Sequence, residues 1–80
     1  MDTNEIISRL NGVFRDVFGD DSISVSQDTT SADIEDWDSL AHISLMDAVE
    51  NEFGIRFKMR EVSSMKNVGD MIRLIAERGK

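Results

Sequence analysis

The residues in this chain best suited to chemistry lie together in the run Asp36-Trp37-Asp38-Ser39-Leu40, with the single histidine, His42, just behind. An Asp followed by a Ser at the start of an apolar-periodic stretch is a strong helix N-terminal signal. With Asp38 as the cap, Ser39 falls in the first helical turn with its hydroxyl near solvent. An anion attached there meets the unpaired N–H groups and the positive end of the helix. Advancing at 100° per residue, Ser39 lies about 40° from the centre of the apolar face, so a chain tethered to it can fold along the edge of the core. The plainer reading is that Asp38-Ser39 does nothing but cap a helix, and the local pattern by itself favours that reading.

Two further chemistries fail on spacing. His42 stands one turn after Ser39, but a hydrolytic Ser–His pair also needs an orienting carboxylate, an oxyanion hole and a cleft. The chain has no G-x-S-x-G elbow and no glycine-rich donor loop. His42 also falls on the apolar face, where a hydrogen-bonded structural imidazole is the commoner role, so no enzyme is expected. The acids Asp33, Glu35, Asp36 and Asp38 invite comparison with a calcium loop. They lack the alternating ligands, central Gly and closing Glu of such a loop, as does Asp20-Asp21, and no metal site is expected.

The elements that must position Ser39 are readable from periodicity. Ile6, Ile7, Leu10, Val13, Phe14, Val17 and Phe18 form one apolar stripe, which predicts a first helix capped by Asp2 or Thr3 and ended by Gly19. Residues 20–38 are polar and turn-rich, with Ile23, Val25, Ile34 and Trp37 available to pin them to a core. A second helix is predicted from Asp38 or Ser39 to Phe53, broken by Gly54. Its apolar face carries His42, Met46, Val49 and Phe53, flanked by Leu45 and Ile43, while Leu40 points the opposite way. Ile55 to Lys58 alternate like a strand but have nothing to pair with, which predicts an extended connector. Residues 59–64 predict a short helix presenting Val62 and Met65. A last helix starts at Ser64 or Asn67 and presents Val68, Met71, Ile72 and Ile75, with Gly79 beyond its end and Arg73, Arg78 and Lys80 near its negative terminus. The expected fold is therefore all-α: a small four-helix bundle of three main helices and a short third one, with a long loop between helices one and two.

Eighty residues amount to one small domain, residues 1–80, burying about 60% of its unfolded surface. Forty per cent apolar residues suffice for a core, and the absence of Cys excludes disulfides and thiolate metal sites. No membrane span and no signal pattern are visible, so the cytoplasm is expected; a monomer is the expected state, although no feature of the sequence fixes it. Between Asp16 and Ile55 there are eleven acids and no Lys or Arg. Nucleic acid is thereby disfavoured as a partner, and a basic protein surface favoured. The five methionines read as flexible core filling that would also suit a core able to open.

The run Asp38-Ser39-Leu40, continuing as Ala41-His42-Ile43-Ser44-Leu45-Met46-Asp47-Ala48-Val49-Glu50-Asn51-Glu52-Phe53-Gly54-Ile55, resembles the attachment motif and second helix of the acyl carrier proteins. The resemblance extends over almost the whole chain. It implies that Ser39 carries phosphopantetheine, added from coenzyme A by a phosphopantetheinyl transferase, and that the arm's thiol holds acyl intermediates for fatty acid, polyketide or related biosynthesis. It implies a pocket lined by Ile43, Val49, Phe57, Val62, Met65 and Met71. It further implies a docking surface of Asp36, Asp38, Leu40, Asp47, Glu50 and Glu52 for acyl-transfer, condensing and modifying enzymes with basic patches. Family members often carry Glu where this chain has Ser44 and Asn51, and an acidic, Pro-containing loop where it has Arg56-Phe57-Lys58-Met59-Arg60. These departures point to a specialised carrier. Two rivals remain at this level: a peptidyl or aminoacyl carrier, and an unmodified acidic interaction module.

Overall fold

The computed structural model describes residues 2–78. Helices α1 (Thr3–Phe18), α2 (Ser39–Phe53), α3 (Met59–Ser64) and α4 (Val68–Arg78) follow in order, with one 3-10 turn at Ser31–Asp33 inside the long loop. Among the described residues there is no strand, and residues 55–58 form the extended connector that their lack of a partner predicts. Gly79 and Lys80, placed by the sequence at the end of the last helix, lie outside the described residues.

Helix α1 begins where Asp2 Oδ1 accepts the Glu5 N–H at 2.8 Å and ends at Gly19, whose φ of 61° is the left-handed conformation that favours glycine. Its stripe buries Ile6, Leu10, Val13 and Phe14, while Val17 and Phe18 are half-buried. Helix α2 buries Leu45, Met46 and Val49 against it, and α4 adds Val68, Met71, Ile72 and Ile75. At the far end of α2, the Arg9 guanidinium pairs with the Glu52 carboxylate at 2.9 Å, donates to the Glu52 carbonyl and lies over the Phe53 ring. That cation meets the negative terminus of the helix.

The long loop is pinned by side chains and by backbone. Val25 and Trp37 are buried, and Ile23 and Ile34 pack against the core. The Val25 N–H donates to Asn11 Oδ1 at 2.7 Å, and Arg15 Nε donates to the Ile23 carbonyl at 2.6 Å. The loop also completes the start of α4. Thr29 and Gln27 carbonyls accept the N–H groups of Val68 and Gly69, each at 2.8 Å, while Asn67 Oδ1 accepts that of Asp70 at 2.9 Å. Three of the four N–H groups a helix leaves orphaned are thus satisfied by distant chain as well as by the cap. The close approach needs glycine, because a Cβ on residue 69 would lie 2.9 Å from the Gln27 oxygen.

Helix α3 has no fully buried residue. It is held instead by Glu61, whose Oε1 accepts the Lys58 N–H at 2.7 Å and Arg78 Nη1 at 2.6 Å, while Oε2 meets Arg78 Nη2. The Arg78 guanidinium, helped by the Lys58 N–H, lowers the Glu61 carboxyl from 4.5 to about 2.

Two predictions follow from these contacts. In thermal or urea unfolding, Gly12→Ala, at a helical site with open space around it, gains about 0.5–1 kcal/mol from helix propensity. Gly69→Ala instead loses about 1–2 kcal/mol because the loop carbonyl is displaced. Because Glu61 titrates lower folded than unfolded, its contribution is complete above pH 4.5 and is lost as pH falls toward 2. Acid titration of stability in Glu61→Gln therefore has a shallower slope across that window than the parent protein.

Candidate functional site

Asp38 caps α2: its Oδ1 accepts the Ala41 N–H at 2.8 Å and its carbonyl accepts the His42 N–H at 2.8 Å. The cap therefore uses none of Ser39. The Ser39 hydroxyl is exposed and forms no hydrogen bond among the described residues, and the N–H groups of Ser39 and Leu40 are likewise without partners there. The reading of Asp38-Ser39 as a mere cap accounts for the Asp and leaves the Ser without a structural role.

Beside Ser39 runs a groove of about 400 Å³, lined by Ser31, Trp37, Asp38, Ser39, His42, Ile43, Val62, Ser63, Met65 and Lys66. Its floor is organised by Trp37. The indole packs edge-on against Phe14, with centroids 5.3 Å apart, and stacks on His42 at an interplanar angle of 22°. Trp37 Nε1 donates to His42 Nδ1 at 3.0 Å, and His42 Nε2 lies 2.9 Å from the Val62 carbonyl. An indole N–H can only donate, so Nδ1 is the acceptor and the ring proton sits on Nε2, directed at Val62. Both imidazole nitrogens are occupied, which leaves none to act as a base on Ser39. The histidine is a structural bridge from the loop through α2 to α3.

A second, smaller cavity of about 180 Å³ lies between α2 and α3, lined by Ile43, Met46, Asp47, Glu50, Phe57, Met59 and Val62. Of the six pocket residues that the resemblance implies, Ile43, Phe57 and Val62 line this cavity, and Met65 joins Ile43 and Val62 in the groove beside Ser39. Val49 and Met71 line neither; both are wholly enclosed in the core. Ile43 and Val62 form a wall common to the two cavities. Met59 was missed as a lining residue because its place depends on how α3 meets α2. Ser31 was missed because its approach to Ser39 is set by the long loop, and Ser63 and Lys66 because theirs is set by how α3 and its connection to α4 meet α2.

The six docking candidates divide. Leu40 is 82% exposed, as its position on the polar face requires, and Asp36 and Asp47 are exposed with no ion pair among the described residues. Asp38 is exposed with one oxygen committed to the cap. Glu50 is half-buried and accepts the Phe57 N–H at 2.6 Å, and Glu52 is paired with Arg9. Among the described residues no group of three or more His, Asp or Glu side chains is placed to hold a metal ion, and no helix is long and apolar enough to cross a membrane.

His42→Leu removes the acceptor of the Trp37 N–H and the donor to Val62 together. Leaving these groups unpaired costs about 1–3 kcal/mol in unfolding free energy. The emission of Trp37, the one tryptophan in the chain, shifts in the same variant because the indole loses its partner.

Residues 6–75 match the family described as phosphopantetheine attachment site. An acyl carrier protein of Acidothermus cellulolyticus is 33% identical over 72 residues, covering 90% of this chain and 86% of that protein. One of Petrotoga mobilis is 28% identical over 78 residues, covering 98% of this chain and 92% of its own. In three dimensions the chain is similar to the solution NMR structure of a holo acyl carrier protein from Geobacter metallireducens. The TM-score is 0.83 at 39% identity, covering 90% of this chain and 83% of that one. The sequence match along nearly the whole chain and the shared all-helical bundle agree: the chain belongs to the acyl carrier protein family, a carrier and not an enzyme, which takes covalent phosphopantetheine from a transferase and serves biosynthetic enzymes with the acyl groups it holds.

Proposed function

We propose that Ser39 is the residue to which phosphopantetheine is attached, and that residues 1–80 act as one carrier domain, a monomer working in the cytoplasm. The observation that carries the assignment is the state of Ser39: an exposed hydroxyl with no hydrogen bond among the described residues, on a helix whose cap is supplied by its neighbour. The surroundings fit the group. A phosphodiester on Ser39 would meet the free N–H groups of Ser39 and Leu40 and the positive end of α2. The adjoining groove offers polar side chains from Ser31, Ser63 and Lys66 along one part and the apolar Ile43, Val62 and Met65 along another. When bound, the arm supplies the thiol that this Cys-free chain lacks.

The cavity between α2 and α3 is the proposed seat of the acyl tail, reached past Ile43 and Val62. Enzymes with basic patches dock on the α2 face, where Asp36, Asp47 and Leu40 are free to meet them and Asp38 retains one uncommitted oxygen. The basic run from Arg56 to Arg60 supports a specialised carrier for fatty acid, polyketide or related biosynthesis, because it interrupts the acidic surface where α3 begins.

Incubation with coenzyme A and a broad-specificity phosphopantetheinyl transferase adds one phosphopantetheine to the wild-type protein by intact mass, and none to Ser39→Ala. The variant keeps its helical circular dichroism, since Ser39 makes no contact that the fold uses. Modification of Ser39→Ala would place the arm elsewhere and refute the assignment.

A further inference from the structure

We infer that the partner enzyme of this carrier presents a docking surface of two signs: a basic patch against α2 and, beside it, an acidic patch against Arg56, Lys58 and Arg60. An apolar side chain of the partner seats between Ile43 and Met59. The inference rests on the carrier function proposed above and names the chemistry of the surface that recognises it.

The large apolar side chains left exposed among the described residues are Leu40 at 82%, Ile43 at 53% and Met59 at 71%. They lie on α2 and at the first residue of α3, and Ile43 and Met59 line the same small cavity. Exposed apolar residues gathered at a cavity with charge on its rim have the composition of a contact surface. The cavity's own charged lining, Asp47 and Glu50, is acidic, and the cations flank its lining residues Phe57 and Met59 in sequence. Toward α2 stands Asp47, unpaired, with Asp36 farther along. Toward α3 stand Arg56, Lys58 and Arg60, all exposed.

These three cations, like Lys66 on the groove beside Ser39, form no ion pair among the described residues, although Lys58 helps lower the Glu61 carboxyl. Arg9 pairs with Glu52, Arg73 with Asp70 and Arg78 with Glu61, while Arg15 donates to the Ile23 carbonyl. Free charge retained beside free apolar surface is available to a partner. A uniformly basic patch would match α2 and be repelled at the start of α3, so the cations select against it. A second copy of this chain would also match a two-signed surface. Three apolar side chains, however, fall short of the roughly 1,200–2,000 Å² that a stable protein interface buries. A transient enzyme contact requires less.

The test uses holo-protein whose arm has been verified by intact mass, so that a failure of attachment is seen before docking is measured. The probe is a condensing enzyme chosen for a docking patch of Arg and Lys alone, assayed with the acylated carrier. K58E/R60E lowers KM by roughly tenfold with kcat unchanged. The difference collapses in about 1 M NaCl, where the screening length is about 3 Å. Lys58 gives up only an exposed coulombic contribution to Glu61, and Glu near the start of α3 suits its positive end, so the variant keeps its helical circular dichroism, which is verified before assay. Lys58→Arg with Arg60→Lys leaves KM as it was. A probe variant with two patch cations changed to Glu reverses the preference and favours the wild-type carrier. An unchanged KM in K58E/R60E overturns the inference. So does a wild-type dimer seen by light scattering at assay concentration and abolished in K58E/R60E, which would make the surface a self-contact.

Discussion

The contact on which the site depends is the indole of Trp37. Its ring is held edge-on by Phe14 of α1, and its N–H is accepted by His42 of α2, which passes the connection to the Val62 carbonyl of α3. One side chain thus ties the end of a long loop to three helices. A loop of this length is costly to order, and a buried aromatic anchored at both its face and its polar edge is an effective way to do so. Trp37 also lies two residues before Ser39, so the first turn of α2 inherits its position from the core. The exposed hydroxyl needs no contact of its own to be held in place.

This arrangement separates the work of adjacent residues. Asp38 closes the helix, Trp37 anchors the chain, His42 braces α3, and Ser39, amid them, is left free. The same separation runs through the charges. Glu50, Glu52 and Glu61 complete backbone or ion-pair contacts, whereas Asp36 and Asp47 remain available to solvent. A count of acids on α2 overstates the charge that can be offered to a partner. It likewise hides the unpaired cations at the start of α3.

How much was legible in the sequence follows from how local each determinant is. The stripe of α1, the Asp38 cap, the glycine stops at 19 and 54 and the exposure of Leu40 depend on neighbours within a few residues, and spacing reads them directly. The placement of Ser39 near the α2 start was legible for the same reason. The completion of α4 by Gln27 and Thr29 was not, since it joins segments about forty residues apart in sequence. On α2 the periodicity left Ile43 and Leu45 as equivalent flanks. Packing against α1 turns the helix so that Leu45 is enclosed and Ile43 is 53% exposed. Val49 and Met71 lie in the closed core, as the apolar faces of α2 and α4 predict, and only the resemblance had placed them in a pocket. The partners of His42 come from a loop and a carbonyl twenty residues on, so its face was readable but its role as a bridge was not.

The way α3 is held sets it apart energetically from the rest of the bundle. Its ties are the His42 contact, the Glu61–Arg78 pair, the neighbouring Glu50–Phe57 bond and the packing of half-buried Val62 against the core, with no wholly enclosed side chain of its own. Releasing such a segment exposes little hydrocarbon, so its opening carries a small heat-capacity increment and a small dependence on denaturant. In native-state hydrogen exchange it belongs with the segments that open by local fluctuation below the global unfolding free energy. The wall of the cavity between α2 and α3 is therefore held by ion pairs and hydrogen bonds together with half-buried side chains, whereas α1, α2 and α4 are held by wholly enclosed ones.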